Sequence, residues 1–306
     1  EDAPVRKSYW ERVVADGYRV PHGAALNDLT TELVSMLGDP DPHVREDIAC
    51  SILRMWTDEG VYDELLSGLG DGLLHGLRAG LGENGTPSVL RRALSAMTLA
   101  HVVRRDNAVQ VLPATAILTW ADRSVTWLLA ERDLRDWVPD VGWVQAISHG
   151  ADLVGAFAAS RYFNRDELNV LLDVIAERLL ADTEFRLVSG ECDRLAHATM
   201  SVLHRNLVTV DTLEGWLERL SKAWADPVEQ GERESAARAN CVNYARSLHL
   251  QLLLGVSGTP TQDVMGLPGA TPTCRPDLLI ALQRALRTSA PAIFRQQPAV
   301  APHRAR

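Results

Sequence analysis

The sequence predicts an all-α fold, a superhelix of stacked antiparallel helical hairpins. Three observations carry this expectation. Apolar residues recur at helical spacing along nearly the whole chain, no stretch alternates as a half-buried strand would, and residues that start and stop helices punctuate the pattern at short intervals.

The elements follow in order. Asn27 or Asp28 suits the cap of a helix running to Leu37, with Gly38 as its stop and a turn at Asp39-Pro40-Asp41-Pro42. The next helix lines up Val44, Ile48, Ile52, Leu53 and Trp56 and ends near Gly60. Residues 61–81 continue the pattern, although Gly68, Gly70, Gly72 and Gly76 predict a broken or closely packed segment. Ser88 is placed to cap a helix reaching about Val103, with Leu90, Leu94, Met97 and His101 at near-helical intervals. Further helices are expected over 111–134, 141–160, 166–182, 190–205, 209–226, 231–254 and 275–288. None is long and one-sided enough to stand alone, so neighbouring pairs must stack. In DPDPHVREDIACSIL a proline fixes the turn while an aspartate caps the following helix. That is the start typical of HEAT-type repeats, so the superhelix is expected to be HEAT-like. The domain reading is one helical-repeat domain over 1–288 with a long Gly/Pro-rich loop at 255–275, then a flexible tail at 289–306.

Composition narrows the function classes. The 306 residues are 46% hydrophobic and 23% charged, which suits a chain with a sizeable core. A net charge of -9 gives no overall attraction for a phosphate backbone, so no nucleic-acid partner is expected. The pairs Arg91-Arg92 and Arg104-Arg105 do not extend into a basic run and read as solvated helix faces. Cys50, Cys192, Cys241 and Cys274 are scattered, without the close spacing of a zinc or redox motif. Three of them fall inside apolar helical patterns and read as small apolar residues; a reduced chain is the simplest account, and the expected location is cytoplasmic. The opening EDAPVRKSYW has no apolar signal-peptide core, and no apolar run reaches the roughly 18 residues that span a bilayer, so no membrane partner is expected.

The chemistry-bearing residues concentrate in the second half. On a helix starting near Val141, Gln145, His149 and Asp152 fall at offsets of four and three and share one face. Three readings compete. A metal would need a third strong ligand from another helix, with Asp133 or Glu191 as candidates, because glutamine is a poor zinc ligand. His149 and Asp152 could instead form a buried hydrogen-bonded pair, with Gly150 and Ala151 marking a close helix–helix approach. Or His149 serves as a general acid or base oriented by Asp152, since an imidazole titrates near neutrality.

Around this trio lie further candidates. Glu131-Arg132-Asp133-Leu134-Arg135-Asp136 runs into Trp137, Pro139, Gly142 and Trp143, an aromatic corner in which Trp143 opens the His149 helix and lines a cleft. Trp120 and Trp127 read as core. Glu191 and Asp193 suit the first turn of a helix through its dipole. Arg194 could clamp Asp133 or Asp152, or receive a substrate carboxylate or phosphate. Asn240, Asn243, Tyr244 and Arg246 form a polar stripe on the last long helix. Cys192 and His197, five apart, point away from each other and make no nucleophile–base pair. The chain has no phosphate loop, nucleophile elbow or zinc-protease helix.

Four blocks in order, SYW with DPDPHVREDIA, LRRALSAMTLAHVVRRDN, AERDLRDWVPDVGWVQAISHGADLV and GECDRLAHATMSVLHR, resemble the DUF2785 family over residues 8–250. The resemblance implies an all-α, HEAT-like fold and lends no activity. Members of that family usually carry a histidine where this chain has Gln145, so their His-x3-His-x2-Asp pattern stands here as Gln145, His149 and Asp152. No metal and no cofactor are therefore expected.

The expected function is a peptide- or protein-binding scaffold, since stacked hairpins expose an extended groove. The alternative is an enzyme acting on a peptide or small polar substrate, for example a peptide-tailoring cyclase. In it His149 exchanges protons, Asp152 orients it, Arg194 holds an anionic group, and Trp143 lines the pocket.

Overall fold

Helical periodicity builds helices nearly everywhere in the computed structural model, which describes residues 3–225, 233–257 and 271–294. In order they are α1 (Ala3–Ala15), α2 (Leu26–Met36), α3 (His43–Cys50 wound as a π-helix and running on through Ser51–Asp58), α4 (Leu66–Gly76), α5 (Ser88–Val109) and α6 (Ala114–Ala130). Two short strands follow, β1 (Trp137–Val138) and β2 (Gly142–Trp143). Then come α7 (Ala146–Ala158), α8 (Arg165–Leu180), α9 (Glu191–Leu203), α10 (Val210–Ser221), α11 (Ala236–Leu254), α12 (Arg275–Ser289) and the single turn α13 (Pro291–Phe294). The protein is mostly helical, as the periodicity predicts.

The helices pack in two rows. Along one row α3 touches α5, α5 touches α7, α7 touches α9 and α9 touches α11; along the other α2, α4, α6, α8, α10 and α12 follow each other. Sequential partners α4–α5, α6–α7, α8–α9 and α10–α11 join the rows. The apolar residues of both rows meet between them and form one continuous core. Trp120 and Trp127 lie in it, as expected.

Local signals set several boundaries. Asp41 accepts the His43 N–H at 3.0 Å and Asp39 accepts the Asp41 N–H at 2.8 Å, so the aspartates fix the Asp-Pro-Asp-Pro turn, while the residue at the cap of α3 is Pro42. Asn164 and Glu167 form a reciprocal capping box on α8, and Gly255 ends α11 with φ of 70°. Other boundaries differ. Helix α2 begins at Leu26 behind Ala25, so neither Asn27 nor Asp28 is its cap. Ser88 lies inside α5, where its hydroxyl donates to Glu83 and accepts from Arg92.

Within 61–81 only α4 is regular helix. Gly70 is required there: a Cβ at this position would lie 2.0 Å from the Trp120 ring. The helix expected over 141–160 starts only at Ala146. Pro139 precedes three left-handed residues, Asp140, Gly142 and Gln145, so the chain turns back on itself and pairs Trp137 with Trp143. Residues 258–270 of the long loop and 295–306 of the tail lie outside the described residues.

Candidate functional site

The charge run 131–136 is a buried lock. Glu131 ends α6 with its carboxylate fully enclosed, accepting from Arg92 Nε at 2.6 Å and Nη2 at 2.8 Å, from Trp127 Nε1 at 3.0 Å, and from the backbone of Arg132 and Asp133. Arg92 donates further to the carbonyls of Ala79 and Gly80, and Arg178 donates to the carbonyls of Leu128 and Glu131. Arg92 is therefore completely buried and not on a solvated face. Arg105 pairs with Asp63 at 2.6 Å.

Asp133 takes Arg135 bidentately at 2.7 Å and the Gly85 N–H at 2.9 Å, and Arg135 reaches the Thr86 carbonyl. These two residues tie the 131–136 segment to the loop before α5. Beyond them, Ser189 donates to Asp136, which holds that carboxyl below the usual range, and the Asp136 carbonyl accepts from Val144. Buried Arg45 donates to the Val141 carbonyl at the turn. The strand pair so anchored carries two tryptophans edge to face at 5.2 Å, with Trp137 54% and Trp143 46% exposed. Trp143 is thus an exposed strand residue and does not open the His149 helix.

One face of the α3–α11 row gathers ionisable groups from three successive helices. Helix α5 supplies His101 and Arg104, α7 supplies His149 and Asp152, and α9 supplies Arg194 and His197, each pair three residues apart and so on one side of its helix. Arg194 Nη1 donates to both oxygens of Asp152 at 3.0 Å; Asp152 is 15% exposed and Arg194 58%. Of the partners offered by the sequence, Arg194 has taken Asp152 and not Asp133.

His149 is half-buried, and its Nδ1 is buried without a hydrogen-bond partner. Asp152 spends its oxygens on Arg194, so the hydrogen-bonded His149–Asp152 pair does not form. Burial pushes the His149 imidazole down to about 4; the Asp152 charge pulls it up, while Arg194 and His101 push it further down. His101 and His197 are lowered mainly by burial as well, and His197 Nε2 donates to the Ser257 carbonyl at 3.1 Å. All three imidazoles are neutral at physiological pH.

Arg104 is half-buried, and burial lowers its pKa; Asp152 and Asp58 favour its charge while Arg194 opposes it. Among the described residues it has no hydrogen bond and no ion pair within 4 Å. A guanidinium in partly dry surroundings without an acceptor leaves its donors available to an anion.

The other sequence candidates lie apart or serve the fold. Gln145 is the left-handed N-cap of α7, its carbonyl accepting the His149 N–H at 3.0 Å. Glu191 is buried, accepts the Ser189 N–H at 2.8 Å, and is raised by burial and then by Asp136. Asp193 takes the Ser247 hydroxyl. Tyr244 belongs to the core, with its hydroxyl against Thr199 and its ring edge-on to Trp216. Asn240 holds the chain before α9 through Phe185 and Leu187, while Asn243 is half-buried and Arg246 exposed on α11. Among the described residues, no group of three or more His, Cys, Asp and Glu side chains is arranged to hold a metal ion.

Sequence reasoning missed His101, Arg104 and His197 as members of this face. A signal was present: His101, His149 and His197 follow one another at intervals of 48 residues, the length of one helical pair and its connections.

A family model described as "Protein of unknown function (DUF2785)" matches residues 77–250, more than half of the chain and all of α5 to α10. The opening SYW and the segment 39–49 precede the matched region. No curated protein and no solved structure matches the chain.

Proposed function

The chain belongs to the DUF2785 family, whose description carries no activity, and from its own geometry we propose that it is a HEAT-like α-α superhelix binding a peptide or protein partner. The two rows of helices support that architecture, and rows of this kind expose extended surfaces. The binding surface is the α5–α7–α9 face, and it receives an anionic group of the partner. The observation that carries this reading is Arg104, a half-buried guanidinium without an acceptor, on the face where His149 Nδ1 is also unpartnered. The Asp152–Arg194 pair fixes the register of α7 against α9 at the rim. The four buried free thiols fit the cytoplasmic location proposed with it.

The test is a random-peptide display selection on the immobilised chain, followed by affinity measurements on Arg104→Gln. Acidic peptides should be enriched, and loss of a charge-assisted bond of about 1.5–3 kcal/mol should weaken them roughly 10- to 100-fold. Enrichment of neutral peptides that bind the variant equally well would overturn the reading.

A second reading keeps His149 as general acid or base in a peptide-tailoring enzyme such as a cyclase. It rests on a neutral imidazole with a free Nδ1 on the same face as a carboxylate. A pKa near 4 makes His149 a weak base at neutral pH, which places this reading second. Mass spectrometry of a selected peptide after incubation separates the two. The enzyme reading requires a mass change that His149→Gln abolishes, and the scaffold reading requires none.

A further inference from the structure

Away from the α5–α7–α9 face, a groove of about 580 Å³ opens between α2 and α4. This size lies within the range of small-molecule sites, roughly 300–1,000 Å³. Thr30 and Val34 of α2 line one side, Gly68 and Gly72 of α4 the other, with Tyr62 and Arg91 also in its wall. Glu64 and His75 are exposed at its rim.

Two independent features point to a ligand. The first is the pair of glycines one turn apart. Gly70 and Gly76 of the same helix are demanded by Trp120 and Ser95, which a Cβ would strike at 2.0 and 2.1 Å. At Gly68 and Gly72 a Cβ would meet nothing within 4 Å. Glycine is among the poorest helix formers, so two unneeded glycines weaken α4 without any packing return. What they do is leave bare backbone facing open space.

The second is Arg91. Its stem is wedged beside Gly38 and Gly76, where a Cβ on Gly38 would lie 3.1 Å from Arg91 Cβ and one on Gly76 would lie 3.9 Å from Arg91 Nε. Nε is buried without a hydrogen-bond partner. The C-terminal ends of α2 and α4 favour a cation there but place no acceptor within bonding distance. On the floor, the buried Tyr62 hydroxyl is already engaged, accepting from Thr30 at 3.3 Å.

We propose that this groove is a binding site for a small amphipathic carboxylate, its anionic head on Arg91 and its apolar body along the backbone of Gly68 and Gly72. Arg91 is the guanidinium of a groove with Glu64 at its rim, so a molecule with one anionic end is favoured and further negative charge is repelled. The groove does not suit a polyanion. The site is independent of the peptide-binding face.

The experiment is calorimetric and NMR titration of the full chain with octanoate, using octanol as the neutral probe. Octanoate is expected to bind saturably, to shift the amides of Gly68 and Gly72, and to bind at least tenfold more tightly than octanol. Arg91→Gln should remove that preference, weakening octanoate tenfold or more. Gly72→Leu, placed in open space on a helix, should fold at least as stably as the native chain and abolish binding by filling the channel. Absence of saturable binding would overturn the proposal. So would equal affinity for octanol, or octanoate binding unchanged in either variant.

Discussion

Lowering the pH from about 7.5 to about 5 should destabilise this protein through His149 in a way that one substitution removes. The imidazole titrates at about 4 in the folded chain, against about 6.5 when unfolded. The unfolded state therefore takes up the proton first. Stability is complete above the unfolded value, falls as the pH drops below it, and stops falling once the folded value is passed. Integrating the linkage relation over that interval gives a loss of about 2 kcal/mol for this residue alone. With an m-value near 3 kcal/mol/M, the urea midpoint moves by roughly 0.7 M.

His101 and His197 act in the same direction, whereas the lowered carboxyls of Asp63 and Asp136 stay ionised in both states down to about pH 5 and contribute no change over this interval. The informative quantity is thus the difference in pH dependence between the native chain and His149→Gln, in which these shared contributions cancel. Equilibrium urea unfolding at both pH values measures it, and the ring-proton shift of His149 followed by NMR gives its midpoint directly. Identical pH dependence in the two proteins, with a midpoint near 6.5, would refute the assignment of His149 as a neutral, dehydrated imidazole.

Four further outcomes follow from the packing. Glu131→Ala strands Arg92 and the Trp127 N–H inside the protein and should cost about 3–5 kcal/mol by urea unfolding. Gly70→Ala forces a methyl into the Trp120 ring and should cost about 1–3 kcal/mol or more, whereas Gly72→Ala should be neutral or stabilise by up to about 1 kcal/mol; paired melting curves compare them. Arg194→Ala removes a pair whose arginine is mostly in water, so stability should change by less than about 1 kcal/mol in the same assay. Burial pushes the thiols of Cys50, Cys192 and Cys241 up to about 12, so a disulfide reagent at pH 8 should modify them only after denaturant is added.

The helices were legible in the sequence because their code is local. Spacing of apolar residues and the Asp-Pro-Asp-Pro turn each act within a few residues, and each stands in the structure close to where it was read. The stretch 131–145 was misread because its conformation is imposed from a distance. A helix beginning at Val141 satisfies periodicity, but Arg45 draws the Val141 carbonyl from 96 residues away and Ser189 holds Asp136 from 53. With these anchors the left-handed residues Asp140, Gly142 and Gln145 turn the segment into a strand pair.

The site divides along the same line. His149, Asp152 and Arg194 were singled out together and two of them are bonded, since spacing on a helix reports which residues share a face. Spacing does not report depth. Arg92 and Arg104 each sit beside a second arginine in a helix of mixed composition, and a local reading treats all four as solvated. In the structure Arg92 meets Glu131 across 39 residues, while Arg104 faces the groups of α7 and α9. What separates a structural arginine from a receptive one is whether an acceptor has arrived from another helix. Arg92 has its carboxylate and Arg105 has Asp63, whereas Arg104 and Arg91 keep donors unspent in two different places. A donor left unmet in partly dry surroundings costs stability, and in these two arginines no protein acceptor competes with a ligand for the guanidinium.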